Sequence, residues 1–128
     1  MLFVAKRGVV LNAKPDKMIS IIDDDPSVRE ATGTFVRSLG YRAALFASAE
    51  DFLASDGLHA SACVISDVRM PGMTGPELQQ RLIDNLVQVP VIFVTAFAED
   101  QVRQRVLTAG ACGYLTKPFC PAAAGQLS

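Results

Sequence analysis

The chain has 128 residues, 50% of them hydrophobic and 20% charged, which gives one domain of ordinary size with enough apolar content for a packed core and excludes disorder or a multi-domain chain. Twelve Lys and Arg against thirteen Asp and Glu leave a net charge of −1, so there is no basic excess to neutralise phosphates, and no direct nucleic-acid binding by this chain is expected. No apolar run approaches the roughly 20 residues of a membrane span, and Lys6 and Arg7 interrupt the opening MLFVAKRGVVLN before a secretory core forms, so a cytoplasmic protein without membrane contact is expected.

Residues 1–17 carry four of the twelve basic residues and no clear period, and end in the turn-like Ala13-Lys14-Pro15-Asp16. They read as an N-terminal extension ahead of a domain over 18–128. From Met18 onward short apolar runs alternate with helical periods, the pattern of an α/β protein with a parallel sheet. Met18 to Ile22 is apolar on both faces, as a helix-covered strand is. Asp25 then caps a helix whose first position is Pro26 and which Gly40 closes, with Val28, Thr32, Phe35 and Leu39 on one face. Tyr41 to Phe46 is a weaker strand. Ser48 with Asp51 approximates a capping box for a short helix through Ser55. Ala62 to Ile65 is a third strand, and Gly75-Pro76 opens a helix carrying Leu78, Leu82 and Leu86. Val91 to Val94 is the fourth strand, a helix runs from about Glu99 to Ala109 with Gly110 as its stop, and Gly113 to Thr116 is a weaker fifth strand. One or both of the weaker strands suit a sheet edge.

Cys63, Cys112 and Cys120 are odd in number and lack CxxC spacing, so they suggest neither a disulfide framework nor a zinc site and read as buried or idle thiols. His59, in the polar DGLHAS, reads as a surface residue, and Met70 and Met73 as packing residues.

In an open parallel sheet ligands sit outside the carboxyl ends of the strands, so the residues that follow each apolar run carry the chemistry. Asp23-Asp24-Asp25 follows the first strand, Asp67 the third, Thr95 the fourth and Lys117 the fifth. All these positions share one rim. Clustered carboxylates raise each other's pKa unless a cation joins them, and an oxygen-rich set of this kind suits Mg²⁺, with Asp23 and Asp24 as its acidic ligands and Lys117 as a compensating charge. Asp67 can then attack an electrophilic phosphoryl group as a carboxylate nucleophile and form an acyl phosphate, while Thr95 and Lys117 bind the phosphoryl oxygens.

Ile21-Ile22-Asp23-Asp24-Asp25-Pro26, Ile65-Ser66-Asp67-Val68-Arg69-Met70-Pro71-Gly72-Met73-Thr74-Gly75, Val94-Thr95-Ala96 and Tyr114-Leu115-Thr116-Lys117-Pro118-Phe119 together resemble the receiver domain of two-component response regulators, a CheY-like fold. The resemblance covers about residues 18–119, and DVRMPGMTG is closest in wording to the receivers of FixJ-like transcriptional regulators. It implies a flavodoxin-like, doubly wound five-stranded parallel sheet of order 2-1-3-4-5. It implies that Asp67 accepts a phosphoryl group from a sensor histidine kinase, that Asp23, Asp24, Asp67 and the backbone carbonyl of Arg69 hold Mg²⁺, and that Lys117 contacts the phosphoryl group from a cis peptide before Pro118. Thr95 and Tyr114 would form the switch, Tyr114 rotating into space left by Ala96. Arg69 and Phe97, two residues after Asp67 and Thr95, would tune the lifetime of the phosphate. Phe97 would hinder water and Arg69 would pair with an acidic neighbour when no phosphate is present.

A receiver continues after Lys-Pro-Phe with a fifth helix of about three turns, whereas Cys120 to Ser128 leaves room for about one. The expectation is an incomplete or missing fifth helix, as in a receiver cut from a longer regulator, and a natural start at Met18 is a further reading of the N-terminal extension. Uncovered apolar surface on that side would favour association, and the face that such domains use to dimerise would be affected. Two other readings compete with the receiver. A magnesium-dependent phosphohydrolase that forms an aspartyl phosphate would place a second acid where Arg69 stands. A nucleotide-binding flavodoxin-like module would want a glycine-rich loop where the three aspartates stand.

Overall fold

The computed structural model describes residues 17–117 and two short strands ahead of them. Strands β1 (Leu2–Val4) and β2 (Val10–Asn12) pair antiparallel as a separate two-stranded sheet. Three-residue strands are too short to show a period, which is why the extension looked featureless in the sequence.

From Met18 the elements are β3 (Met18–Ile22), α1 (Pro26–Ser38), β4 (Arg42–Phe46), α2 (Ala49–Leu53), α3 (Gly57–Ala60), β5 (Ser61–Asp67), α4 (Gly75–Asp84), β6 (Val91–Thr95), α5 (Asp100–Thr108) and β7 (Gly113–Thr116). The five strands from β3 on are parallel and run β4-β3-β5-β6-β7 across the sheet. Counted from Met18 this is the expected order 2-1-3-4-5, with the two weaker strands at the edges. Only the four-residue α3 was not anticipated, and no side-chain cap marks its start.

Each face of the sheet has its own apolar layer. Ile22, Val64 and Phe93 join Phe52, Leu78, Leu82 and Val106 from α2, α4 and α5 on one face. Ile19, Ile21 and Cys63 pack with Val36 of α1 and with Tyr41 on the other. α1 sits one position round from the expected stripe: Thr32, Gly33 and Val36 are buried, whereas Leu39 is exposed. The reason is close packing through Gly33, where a Cβ would lie 3.0 Å from the Leu45 side chain. Leu86 departs from its expected stripe as well. α4 ends at Asp84, and Leu86 is 86% exposed with φ of 59°.

Met70 is buried in the larger core and Met73 packs on it, while His59 is exposed. Cys63 is buried, and burial pushes its thiol up to about 12, so it is inert at neutral pH; Cys112 is exposed. Cys120, the peptide before Pro118 and the expected fifth-helix region lie outside the described residues. Among the described residues no helix is long and apolar enough to cross a membrane.

Candidate functional site

The three aspartates after β3 divide their roles through local geometry. Asp25 is the N-cap of α1, its carboxylate accepting from the Ser27 and Val28 N–H groups at 2.9 and 3.3 Å. Asp23 is buried at 4% exposure. Its Oδ1 accepts from the Asp25 N–H at 2.9 Å, which turns Oδ2 inward, while Arg29 Nη1 donates to its backbone carbonyl at 2.7 Å. Asp24 is exposed and faces the same pocket, since ligand atoms of Asp23, Asp24 and Asp67 all lie within 4.8 Å of one another.

Sheet register brings the rest to this rim. Asp67 is the last residue of β5 and pairs with Val94, one residue before Thr95 at the end of β6, and Thr95 pairs with Thr116, one residue before Lys117. The Lys117 N–H donates to the Thr95 carbonyl at 2.7 Å, which anchors the backbone of the lysine. Its Nζ then lies 3.1 Å from Asp23 Oδ2 and 3.1 Å from Asp67 Oδ2. Gly75 makes room for this arrangement. A Cβ there would stand 2.4 Å from the Asp67 carbonyl and 2.8 Å from the Phe93 ring, so only glycine lets the start of α4 approach the end of β5.

Burial pushes the Asp67 carboxyl above its ordinary value; the hydrogen bond from Lys117 and the Arg69 backbone N–H oppose that rise, and the neighbouring Asp23 charge adds to it. Burial alone would lower the Lys117 ammonium, but its hydrogen bonds to Asp23 and Asp67 outweigh this and hold it above its ordinary value. A lysine clamped between two acids therefore keeps its charge.

Among the remaining predicted residues, Thr95 is buried at the rim, but its hydroxyl donates to the Phe97 carbonyl at 3.2 Å and accepts the Phe97 N–H at 3.3 Å. Phe97 is 72% exposed beside the rim. Arg69 forms an ion pair with Glu99, the acidic neighbour that the sequence reading called for without naming. Tyr114 packs half-buried against the larger core, and its hydroxyl accepts the Glu99 N–H at 3.2 Å. Arg29 and Glu99 were both missed. The Arg29 contact crosses a turn and follows no helical spacing, and the Glu99 contact with Tyr114 is made by a backbone N–H, which carries no residue signature.

Glu50, also unforeseen, accepts the Met73 N–H at 3.0 Å and so braces the loop after Asp67. Gly72 in that loop has φ of 78°, and a Cβ there would stand 2.6 Å from Glu50 Oε2.

Known proteins resemble this chain in sequence and fold. The model of the response regulator receiver domain matches residues 19–125. Response regulator protein TmoT of Ectopseudomonas mendocina is 40% identical over 104 residues, 81% of this chain and 47% of that protein. Transcriptional regulatory protein FixJ of Bradyrhizobium diazoefficiens is 36% identical over 102 residues, 79% of this chain and 49% of that protein. The solved response regulator StyR superposes with a TM-score of 0.77 at 35% identity over 87% of this chain and 56% of that one. FixJ-N superposes with a TM-score of 0.74 at 28% identity over 87% and 89%. The chain spans about half the length of the curated relatives it matches. A family model that spans most of the sequence, with relatives and structural neighbours that agree with it, settles the identity: the chain belongs to the receiver domains of two-component response regulators, a phosphoacceptor signalling family.

Proposed function

We propose that Asp67 is the phosphoacceptor of this receiver and that it takes its phosphoryl group from a phosphohistidine on a sensor histidine kinase. The observation that carries this reading is the Lys117 ammonium at 3.1 Å from both Asp23 Oδ2 and Asp67 Oδ2. It is a cation placed where negative charge gathers when a phosphoryl group arrives. In the transfer an Asp67 oxygen forms the O–P bond as the N–P bond of the phosphohistidine breaks, and the leaving imidazole takes up a proton. Burial strips water from the Asp67 carboxylate and makes it more basic than a solvated aspartate.

The donor set suits Mg²⁺. Three carboxylate ligand atoms within 4.8 Å of one another, one of them on an exposed residue, are hard oxygen donors with room left for water and a phosphoryl oxygen. Asp23, Asp24 and Asp67 with the backbone carbonyl of Arg69 would hold the ion, which when bound supplies positive charge that polarises a phosphoryl oxygen. Lys117 binds the phosphoryl group from the opposite side, and the Thr95 hydroxyl, released from Phe97, adds a hydrogen bond. Movement of Thr95 and Tyr114 then forms the switch read by an output or partner, including a second copy of the chain across the α5 and β7 side. We read the chain as a cytoplasmic acceptor rather than an enzyme with a separate substrate, since Arg69, engaged by Glu99, stands where a phosphohydrolase would carry its second acid.

Incubation with acetyl phosphate and Mg²⁺ should place one phosphoryl group on the wild-type chain, mapped by mass spectrometry to Asp67, and none on Asp67→Asn. Equal labelling of the two proteins rules the assignment out.

A further inference from the structure

Glu99 occupies an unusual place between the acceptor and the switch. As the N-cap of α5 its backbone is extended at φ −128° and ψ 124°, yet its side chain makes no capping hydrogen bond. The carboxylate instead pairs with Arg69, two residues after Asp67, while its N–H donates to the hydroxyl of Tyr114, three residues before Lys117. Its carbonyl accepts the Arg103 N–H at 2.9 Å, so the residue is fixed to the first turn of α5. One residue thus holds a guanidinium that belongs to the acceptor loop and an aromatic hydroxyl that belongs to β7.

We propose that Glu99 is a positioning residue that latches the resting state, holding Arg69 away from the acceptor and Tyr114 in its resting place at the same time. This inference rests on Asp67 being the phosphoacceptor. The side chains of Arg69 and Glu99 are 64% and 45% exposed, and an ion pair so open to water is weak enough to be exchanged. A phosphoryl group on Asp67 carries more negative charge than a carboxylate and three acceptor oxygens, and it sits closer along the chain to Arg69, so it competes for the guanidinium. Loss of Arg69 leaves the Glu99 side chain unpaired and loosens the turn whose N–H fixes Tyr114. The phosphorylation event reaches β7 through this turn as well as through Thr95.

The test uses the full chain, with acetyl phosphate and Mg²⁺ as the probe and the Tyr114 ring resonances followed by NMR. Glu99→Gln should accelerate phosphorylation about two- to fivefold, the range expected for releasing an exposed ion pair. It should also move the Tyr114 resonances of the unphosphorylated protein part of the way toward their phosphorylated positions. Glu99→Asp, which keeps the charge, should restore both readouts, and in an Arg69→Ala background Glu99→Gln should add no acceleration. At about 1 M salt, where the screening length is about 3 Å, the wild-type and Glu99→Gln rates should converge. If the wild-type chain is labelled but Glu99→Gln leaves both the rate and the Tyr114 resonances unchanged, or if its acceleration persists without Arg69, the latch is wrong and the acceptor assignment stands. A wild-type chain that takes no label at all refutes the acceptor assignment and the latch together.

Discussion

At the scale of single residues the rim is a compromise between chemistry and stability. Asp67 has a folded-state pKa above its ordinary value, chiefly through burial, so the folded chain holds a proton there more tightly than the unfolded chain does. Stability attributable to this residue therefore falls as pH rises from the ordinary carboxylate range through the raised folded value, and at neutral pH the ionised carboxylate is a net cost. Asp67→Asn should accordingly have a higher melting temperature than wild type at pH 7, with the gap narrowing as pH falls toward about 4. An unchanged or lower melting temperature at pH 7 would show that the carboxylate is not destabilising. Lys117 follows the same sign in a higher pH range, so at neutral pH it stabilises the fold. Its raised pKa means that its contribution is fully present below the ordinary lysine value and is lost as pH rises through the folded value, in alkaline solution. Lys117→Ala leaves two buried carboxylates facing each other and should cost roughly 1–3 kcal/mol at pH 7, read by denaturant unfolding. The identities of the rim residues were legible in the sequence because each follows an apolar run, and strand ends in a parallel sheet converge. Their pairings were less so. That Asp25 caps a helix followed from Pro26, but which of Asp23 and Asp24 meets Lys117 depends on the Asp25 N–H that turns the Asp23 carboxylate, a contact without a sequence pattern.

At the scale of elements, helix ends illustrate what local chemistry does and does not dictate. α1 and α5 are followed by Gly40 and Gly110, both at positive φ, and both stops were readable because glycine adopts that conformation without a Cβ clash. α4 uses the same reversal with a leucine. The Val87 N–H reaches back to the Leu82 carbonyl at 2.9 Å and the Leu86 N–H to that of Ile83 at 3.0 Å, which puts Leu86 at φ of 59°. The period assigned Leu86 to the buried stripe because Leu78 and Leu82 sit at the same spacing, and no punctuating residue warned that the helix had ended. A leucine in the left-handed region costs about 1–2 kcal/mol, and glycine there costs roughly half of that in chain entropy. Leu86→Gly should therefore stabilise the domain by about 0.5–1 kcal/mol, seen as a higher denaturant midpoint at constant slope. The start of α4 behaves in the other sense. Thr74 and Glu77 form a reciprocal capping box and Gly75 lies against the Asp67 carbonyl, so Gly75→Ala forces backbone apart at the end of β5. A loss of at least about 2 kcal/mol is expected, together with slower labelling by acetyl phosphate, because the strand end that moves carries Asp67, the proposed acceptor. A neutral substitution would mean that α4 can shift freely without moving Asp67.

At the scale of the whole molecule the sheet order is what turns scattered residues into a site. Each right-handed crossover returns the chain to the same edge, so residues 44 and 50 positions apart, Asp23 with Asp67 and Asp67 with Lys117, share one pocket. The alternation of apolar runs and helical periods sufficed to read this order, because parallel strands covered on both faces are almost continuously apolar. The cost of the arrangement is electrostatic: three carboxylates against one ammonium leave two negative charges uncompensated at the rim of an otherwise near-neutral chain. A dication that binds only the folded state offsets that repulsion, so metal binding and global stability are linked. At a free Mg²⁺ concentration about a hundredfold above its dissociation constant the wild-type domain should gain about 2.7 kcal/mol, a rise in melting temperature on the order of 10 °C. Asp24→Asn removes the exposed member of the proposed ligand set while leaving the Asp23–Lys117–Asp67 cluster intact, so it should melt close to wild type without metal and gain much less at the same Mg²⁺ concentration. Asp67→Asn should combine a higher metal-free melting temperature with a smaller gain. Equal Mg²⁺-induced shifts in all three proteins would place the ion elsewhere on the molecule and separate the acid cluster from the metal it is proposed to hold.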